Sequence, residues 1–174
     1  MNARALVPAA AIAGLAIAAA ILVTAAPEAL VERAPRDGRS WVLFARAALD
    51  ADRFPEAAAG YERALAASSK VALDPGVWCE YADALGMAQG GRLEGRPREL
   101  IERALALDAA HPKALEMAGS AAYERGDFVA AVRYWKQLLR QLGEGTPAHG
   151  ELAGAIARAE RKAAGRTPLS DRAG

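Results

Sequence analysis

Cysteine is almost missing from this 174-residue chain, with Cys79 its single representative. One thiol excludes an internal disulfide, a C-x-x-C redox pair and a cysteine-built zinc site. Histidine is nearly as scarce. His111 and His149 are the two present, and neither stands at metal-ligand spacing from the other or from Cys79. Both read as solvated, His111 in a loop before Pro112 and His149 near a helix start. An excess of charge is also lacking, because 22 Lys+Arg face 21 Asp+Glu. A nucleic-acid binder would concentrate basic residues on one face. Aromatics are 6% of the chain although hydrophobic residues are 53%. The apolar content is therefore mostly alanine and leucine, which favour helices, and β-branched residues are too few for a sheet protein. G-x-S-x-G, H-E-x-x-H, a phosphate-binding G-x-x-x-x-G-K-[ST] and a haem-attaching C-x-x-C-H are all absent. No enzymatic activity, metal or cofactor is expected. The exposed acids Glu56, Glu62 and Glu102 have basic neighbours, and Glu99 and Arg103 stand at i, i+4 as a helix pair. Cys79 reads as a small groove or core residue, with a redox-sensitive thiol as the alternative.

What is present begins with an uncharged run of 22 residues, Ala5 to Ala26. A helix needs about 20 apolar residues to cross a bilayer, so 5–26 reads as a transmembrane anchor. A cleaved signal peptide is the rival: Arg4 is a minimal basic start, and Val23-Thr24-Ala25 resembles a small-residue cleavage site. Residues 27–37, rich in proline and charge, read as a linker. Arg33, Arg36 and Arg39 beyond the run outnumber Arg4 before it, so the positive-inside rule does not argue for an outside domain.

An internal repeat follows. "SWVLFARAALDADRFPEAAAGYERALA" from Ser40 aligns with "ALEMAGSAAYERGDFVAAVRYWKQLL" from Ala114. Trp41 falls on Leu115, Ala45 on Gly119, Ala48 on Ala122, Phe54 on Phe128, Ala57 on Ala131 and Tyr61 on Trp135. Small residues recur where two helices would touch, and a bulky aromatic recurs where space must be filled. This is the tetratricopeptide-repeat (TPR) pattern. A middle copy opens at Trp78, places Ala82 at the small position and closes with "LIERALALD". It is longer than the others by three residues, which fall in the glycine-rich turn "QGGRLEGRP". An end helix from about Ala148 to Ala164 has Leu152, Ile156 and Ala159 on one face and polar Arg158, Glu160, Arg161 and Lys162 on the other, as a solenoid cap requires. The expected fold is all-α: a TPR superhelix of three helix-turn-helix repeats plus an end helix over 38–164, preceded by the anchor. A disordered tail is expected over 165–174.

A TPR superhelix presents the first helix of each repeat to a partner. The register assigns a peptide-binding groove to Val42, Arg46 and Leu49, then Cys79, Asp83 and Met87, then Glu116, Ser120 and Tyr123. Its mixed apolar and charged character suits an amphipathic helix or an extended peptide.

The stretch from Tyr81 to Leu139 carries a narrower likeness. "YADAL-MAQGG-L-G-P" and "HPKAL---G-AA-ERGD---A--YW--L" resemble the TPR domain of the c-type cytochrome biogenesis proteins of Gram-negative bacteria, the CcmI/NrfG type. The resemblance implies an inner-membrane protein whose TPR domain faces the periplasm. It implies binding of the C-terminal part of apocytochrome c, and presentation of that chain to the haem-ligation machinery. Larger members carry two membrane helices and a cytoplasmic segment, whereas one candidate span is seen here. A TPR adaptor in another cell-envelope assembly is the competing function.

Overall fold

A computed structural model describes residues 27–166, and it builds helices there and, among the described residues, no strand. They are α1 (Pro27–Arg33), α2 (Gly38–Asp50), α3 (Phe54–Ala67), α4 (Ser69–Ala72), α5 (Pro75–Ala88), α6 (Arg96–Leu107), α7 (Pro112–Glu124), α8 (Phe128–Leu139) and α9 (Pro147–Arg166). The expected anchor over 5–26 lies outside the described residues. Among the described residues no helix is long and apolar enough to cross a membrane. The expected tail begins inside α9, which takes in Gly165 and Arg166, and the rest of it lies outside the described residues.

The helix starts are written in short polar side chains. Asp37 accepts from the backbone N–H of Arg39 and Ser40, Asp74 from that of Gly76, and Asp127 from that of Ala130. Each satisfies donors that the first turn leaves unpaired. The Ser40 hydroxyl, 2.7 Å from Asp37, holds that carboxyl below the usual carboxylate range. The Ala130 amide does the same for Asp127. Prolines sit in the first turns of α3, α5, α6 and α7, where a missing N–H costs little.

The three expected helix pairs are α2/α3, α5/α6 and α7/α8, and α9 closes the stack against α8. The turns of the first and third pairs share one hydrogen-bond pattern. Asp52 and Gly126 occupy equivalent positions, both in the left-handed region, with φ of 56° and 79°. The next residue then donates back to the helix: Arg53 N–H to Ala48 O at 2.8 Å, and Asp127 N–H to Ala122 O at 2.9 Å. Glycine enters that region freely, and aspartate is among the few others that tolerate it.

Burial follows the aligned positions. Ala45, Ala48, Ala57, Ala122 and Ala131 are fully buried, Tyr61 is fully buried, and Trp135 is 7% exposed. A Cβ at Gly119 would overlap the Trp135 indole, and one at Gly60 would meet Ala45 and Phe44. The small residues are thus the floor on which the next helix rests.

Two features differ from the sequence reading. Residues 27–37, expected as a linker, hold α1, which packs on α2 with Val31 buried and Glu28 bound to Arg53 at 3.0 Å. The apolar Val31 supplies the reason, since burying it outweighs leaving a short helix free. The single-turn α4, capped by Ser68, was not foreseen and places Val71 in the core. In the long middle turn Gly90, Gly91 and Gly95 have φ of 74°, 84° and 71°. Leu93 tucks in beneath it, and the Leu93 N–H donates to Glu124 at 3.0 Å.

Candidate peptide-binding face

The first helices of the pairs line up, α2 touching α5 and α5 touching α7. That row is where the repeat register placed the groove. Of the nine assigned residues, Arg46, Met87 and Glu116 are exposed, and Leu49, Asp83, Ser120 and Tyr123 are half-buried. Val42 and Cys79 are buried, at 7% and 1% exposure.

Two depressions mark the face. The first, of about 390 Å³, lies between α2, α4 and α5 and includes Val42, Leu43, Arg46, Val71 and Asp74. Across it Arg46 donates to Glu80 with both Nε and Nη2, at 3.0 and 2.8 Å. That bidentate pair ties two repeats together and raises the Arg46 pKa further. Both side chains are partly exposed, so the pair fixes geometry more than it adds stability. Sequence reasoning assigned Arg46 to a client and missed Glu80, because a contact across 34 positions leaves no local trace.

The second depression is larger, about 610 Å³, and lies between α7, α8 and α9. Glu116 and Ser120 line one wall, and Glu151, Leu152 and Ala155 the other, over Trp135, Leu138 and Leu142. Lys113 reaches Glu116 at 3.4 Å. The Trp135 indole N–H donates to Glu116 O at 3.3 Å, which fixes the ring. An apolar base with charged rims is the form an amphipathic segment needs.

Tyr123 stands elsewhere. Its ring packs on Phe128 at 5.1 Å and on Trp135 at 5.7 Å, and Lys162 of α9 lies 4.7 Å above it. It holds α7, α8 and α9 together, and Ser120, three residues earlier, takes the groove position. The end helix decides this, because it covers the position that the repeat pattern alone would leave open.

Cys79 and His111 meet, with Sγ 3.8 Å from Nδ1. His111 is not a solvated loop residue. Its Nδ1 accepts from the Ala114 N–H at 3.3 Å and so caps α7, a role open to histidine only with Nδ1 unprotonated. Burial pushes the Cys79 thiol up to about 11. A thiol of that kind holds little thiolate and is inert, which goes against the redox-sensitive alternative. At pH 8 the folded protein is expected to react with a disulfide reagent about a hundredfold or more slower than the urea-unfolded chain. Equal rates would show that Cys79 is accessible and ionised.

Among the described residues no three His, Cys, Asp or Glu side chains are grouped to hold a metal ion. The expected Glu99–Arg103 pair is replaced. Glu99 bonds Arg96 at 2.7 Å, while Arg103 lies over Trp78 at 5.8 Å.

Residues 28–149 match the family model for the cytochrome c-type biogenesis protein H TPR domain. Two curated relatives are both named cytochrome c-type biogenesis protein CycH. The one from Pseudomonas aeruginosa is 30% identical over 147 residues, which is 83% of this chain and 35% of that protein. The one from Bradyrhizobium diazoefficiens is 29% identical over 117 residues, 67% of this chain and 31% of that protein. The chain thus spans about a third of the length of these relatives. The matched span begins inside α1 and ends inside α9, and it takes in all three helix pairs. The chain belongs to the cytochrome c-type biogenesis TPR family.

Proposed function

We propose that this protein acts in cytochrome c maturation as a membrane-anchored TPR chaperone. Its helical domain faces the periplasm, binds the C-terminal segment of apocytochrome c and presents the unfolded chain to the haem-ligation machinery. The observation that carries the binding claim is the depression between α7, α8 and α9, apolar at its base and charged at both rims. The family and the names of the two relatives supply the pathway. The uncharged run 5–26 supplies the anchor.

The client would lay an apolar helix face on Leu138, Leu142 and Leu152. Lys113, Glu116 and Glu151 would read its flanking charges. Rim charges of both signs act mainly on association rate and register. A folded cytochrome keeps its terminal helix packed, and release of that helix adds a cost that the unfolded chain does not bear. Titration of the detergent-solubilised chain with apocytochrome c and with the haem-loaded form is therefore expected to give affinities at least about tenfold apart, a difference of about 1.4 kcal/mol. Equal affinities would contradict this reading.

A further inference from the structure

A third pocket, of about 520 Å³, opens at the start of the domain and is lined by Pro35, Arg36, Trp41, Arg63, Ala66 and Ala67. No lining residue is acidic, and two are arginines. Among the described residues neither Arg36 nor Arg63 has a carboxylate within salt-bridge distance. Two acids of the same N-terminal stretch are engaged elsewhere. Asp37 is held by the Ser40 hydroxyl and two backbone amides, and Glu28 by Arg53. The pocket is also braced. The Trp41 indole N–H donates to Pro35 O at 2.8 Å, and the Arg63 guanidinium lies 4.7 Å over the Trp41 ring. One guanidinium over the aromatic ring and a second arginine in the lining match a ligand that carries an anionic phosphate on a greasy stem.

Position selects the source. Pro35 and Arg36 follow the uncharged run by only the length of α1 and its turn, and a seven-residue helix spans about 10 Å. If 5–26 is the anchor, the pocket lies at the depth of the lipid headgroups. We propose that this pocket binds the headgroup of an anionic phospholipid and so fixes how the TPR domain stands on the membrane. The proposal rests on the anchor reading. α1, docked on α2 through Val31 and the Glu28–Arg53 pair, transmits that orientation to the repeats in place of a loose tether.

The test uses the full chain in mild detergent, offered phosphatidylglycerol or phosphatidylcholine with the same acyl chains, with retained lipid counted by native mass spectrometry. Preferential retention of phosphatidylglycerol is expected, falling about tenfold in the double variant Arg36→Gln/Arg63→Gln. It should be unchanged in Arg158→Gln/Arg161→Gln, which removes the same charge from α9. Arg36→Gln alone leaves the Arg63–Trp41 stack intact and should give a partial loss at an unaltered melting temperature. Equal retention of the two lipids, equal retention by both double variants, or full competition by millimolar inorganic phosphate would overturn the proposal. Resistance of the chain to carbonate extraction from membranes reports the anchor reading separately.

Discussion

Trp135→Ala is expected to destabilise the fold by roughly 3–5 kcal/mol, and Tyr61→Ala by a similar amount. The two side chains hold the same place in the third and first pairs. Tyr61 is fully buried and lies 6.4 Å from Tyr81 of the second pair, ring to ring. Trp135 packs on Tyr123 and shares a cluster with Ile156 and Ala159 of α9. Each therefore fills the joint between one pair and the next helix, and truncation leaves a cavity that alanine-rich surroundings cannot refill. Tyr61→Phe separates volume from polarity. The Tyr61 hydroxyl has no hydrogen bond of ordinary geometry among the described residues, and Glu80 beside it is already committed to Arg46. That variant should thus stay within about 1 kcal/mol of the parent. Thermal melts of Trp135→Ala or Tyr61→Ala that coincide with the parent would show that the joints are not packed this way.

Gly119→Val should be damaging for the opposite reason. Any Cβ at Gly119 overlaps the indole of Trp135, and that ring is held by its bond to Glu116 O. The ring must leave its rotamer or α7 and α8 must part, and overpacking of this kind costs about 1–3 kcal/mol or more. The conflict is between two named groups, so it should be non-additive. Gly119→Ala is expected to be harmful in the parent and nearly harmless beside Trp135→Ala, where the space is empty. Additive losses in the double variant would mean that glycine is needed at position 119 for some other reason.

The helix pairs were legible because their logic is local and repeated. Ala45 and Gly119, Ala57 and Ala131, and Tyr61 and Trp135 could be paired by eye, and the turns at Asp52 and Gly126 carry residues suited to one backbone conformation. What was hidden depends on which distant residues meet. Trp41 and Trp78 look like ordinary core residues, yet each indole N–H donates to a carbonyl six positions earlier, Pro35 O and Ala72 O, both at 2.8 Å. Those bonds hold the chain ahead of α2 and of α5 in place, and they help explain why 27–37 does not hang free and why α4 forms. A repeat pattern says nothing of them, since the third copy has Leu115 there. The same limit applies to the binding face. The register placed the candidate groove on the first helices of the pairs, and Arg46, Glu116 and Ser120 of that set lie beside the depressions. It treated the end helix only as a cap, and so did not show that α9 covers Tyr123 and contributes Leu152 and Ala155 to the larger one.

The most direct test of client binding in that depression is titration of an apocytochrome C-terminal peptide into the full chain and three variants. Leu142→Ala and Leu152→Ala remove apolar contacts from its base and wall, while Glu62→Ala changes an exposed residue of α3 that lines none of the three pockets described above. With folding verified by melting curves, the first two are each expected to weaken binding by more than ~1 kcal/mol, and Glu62→Ala to leave it unchanged. Binding that is indifferent to both leucines, or that falls as far with Glu62→Ala, would contradict the account.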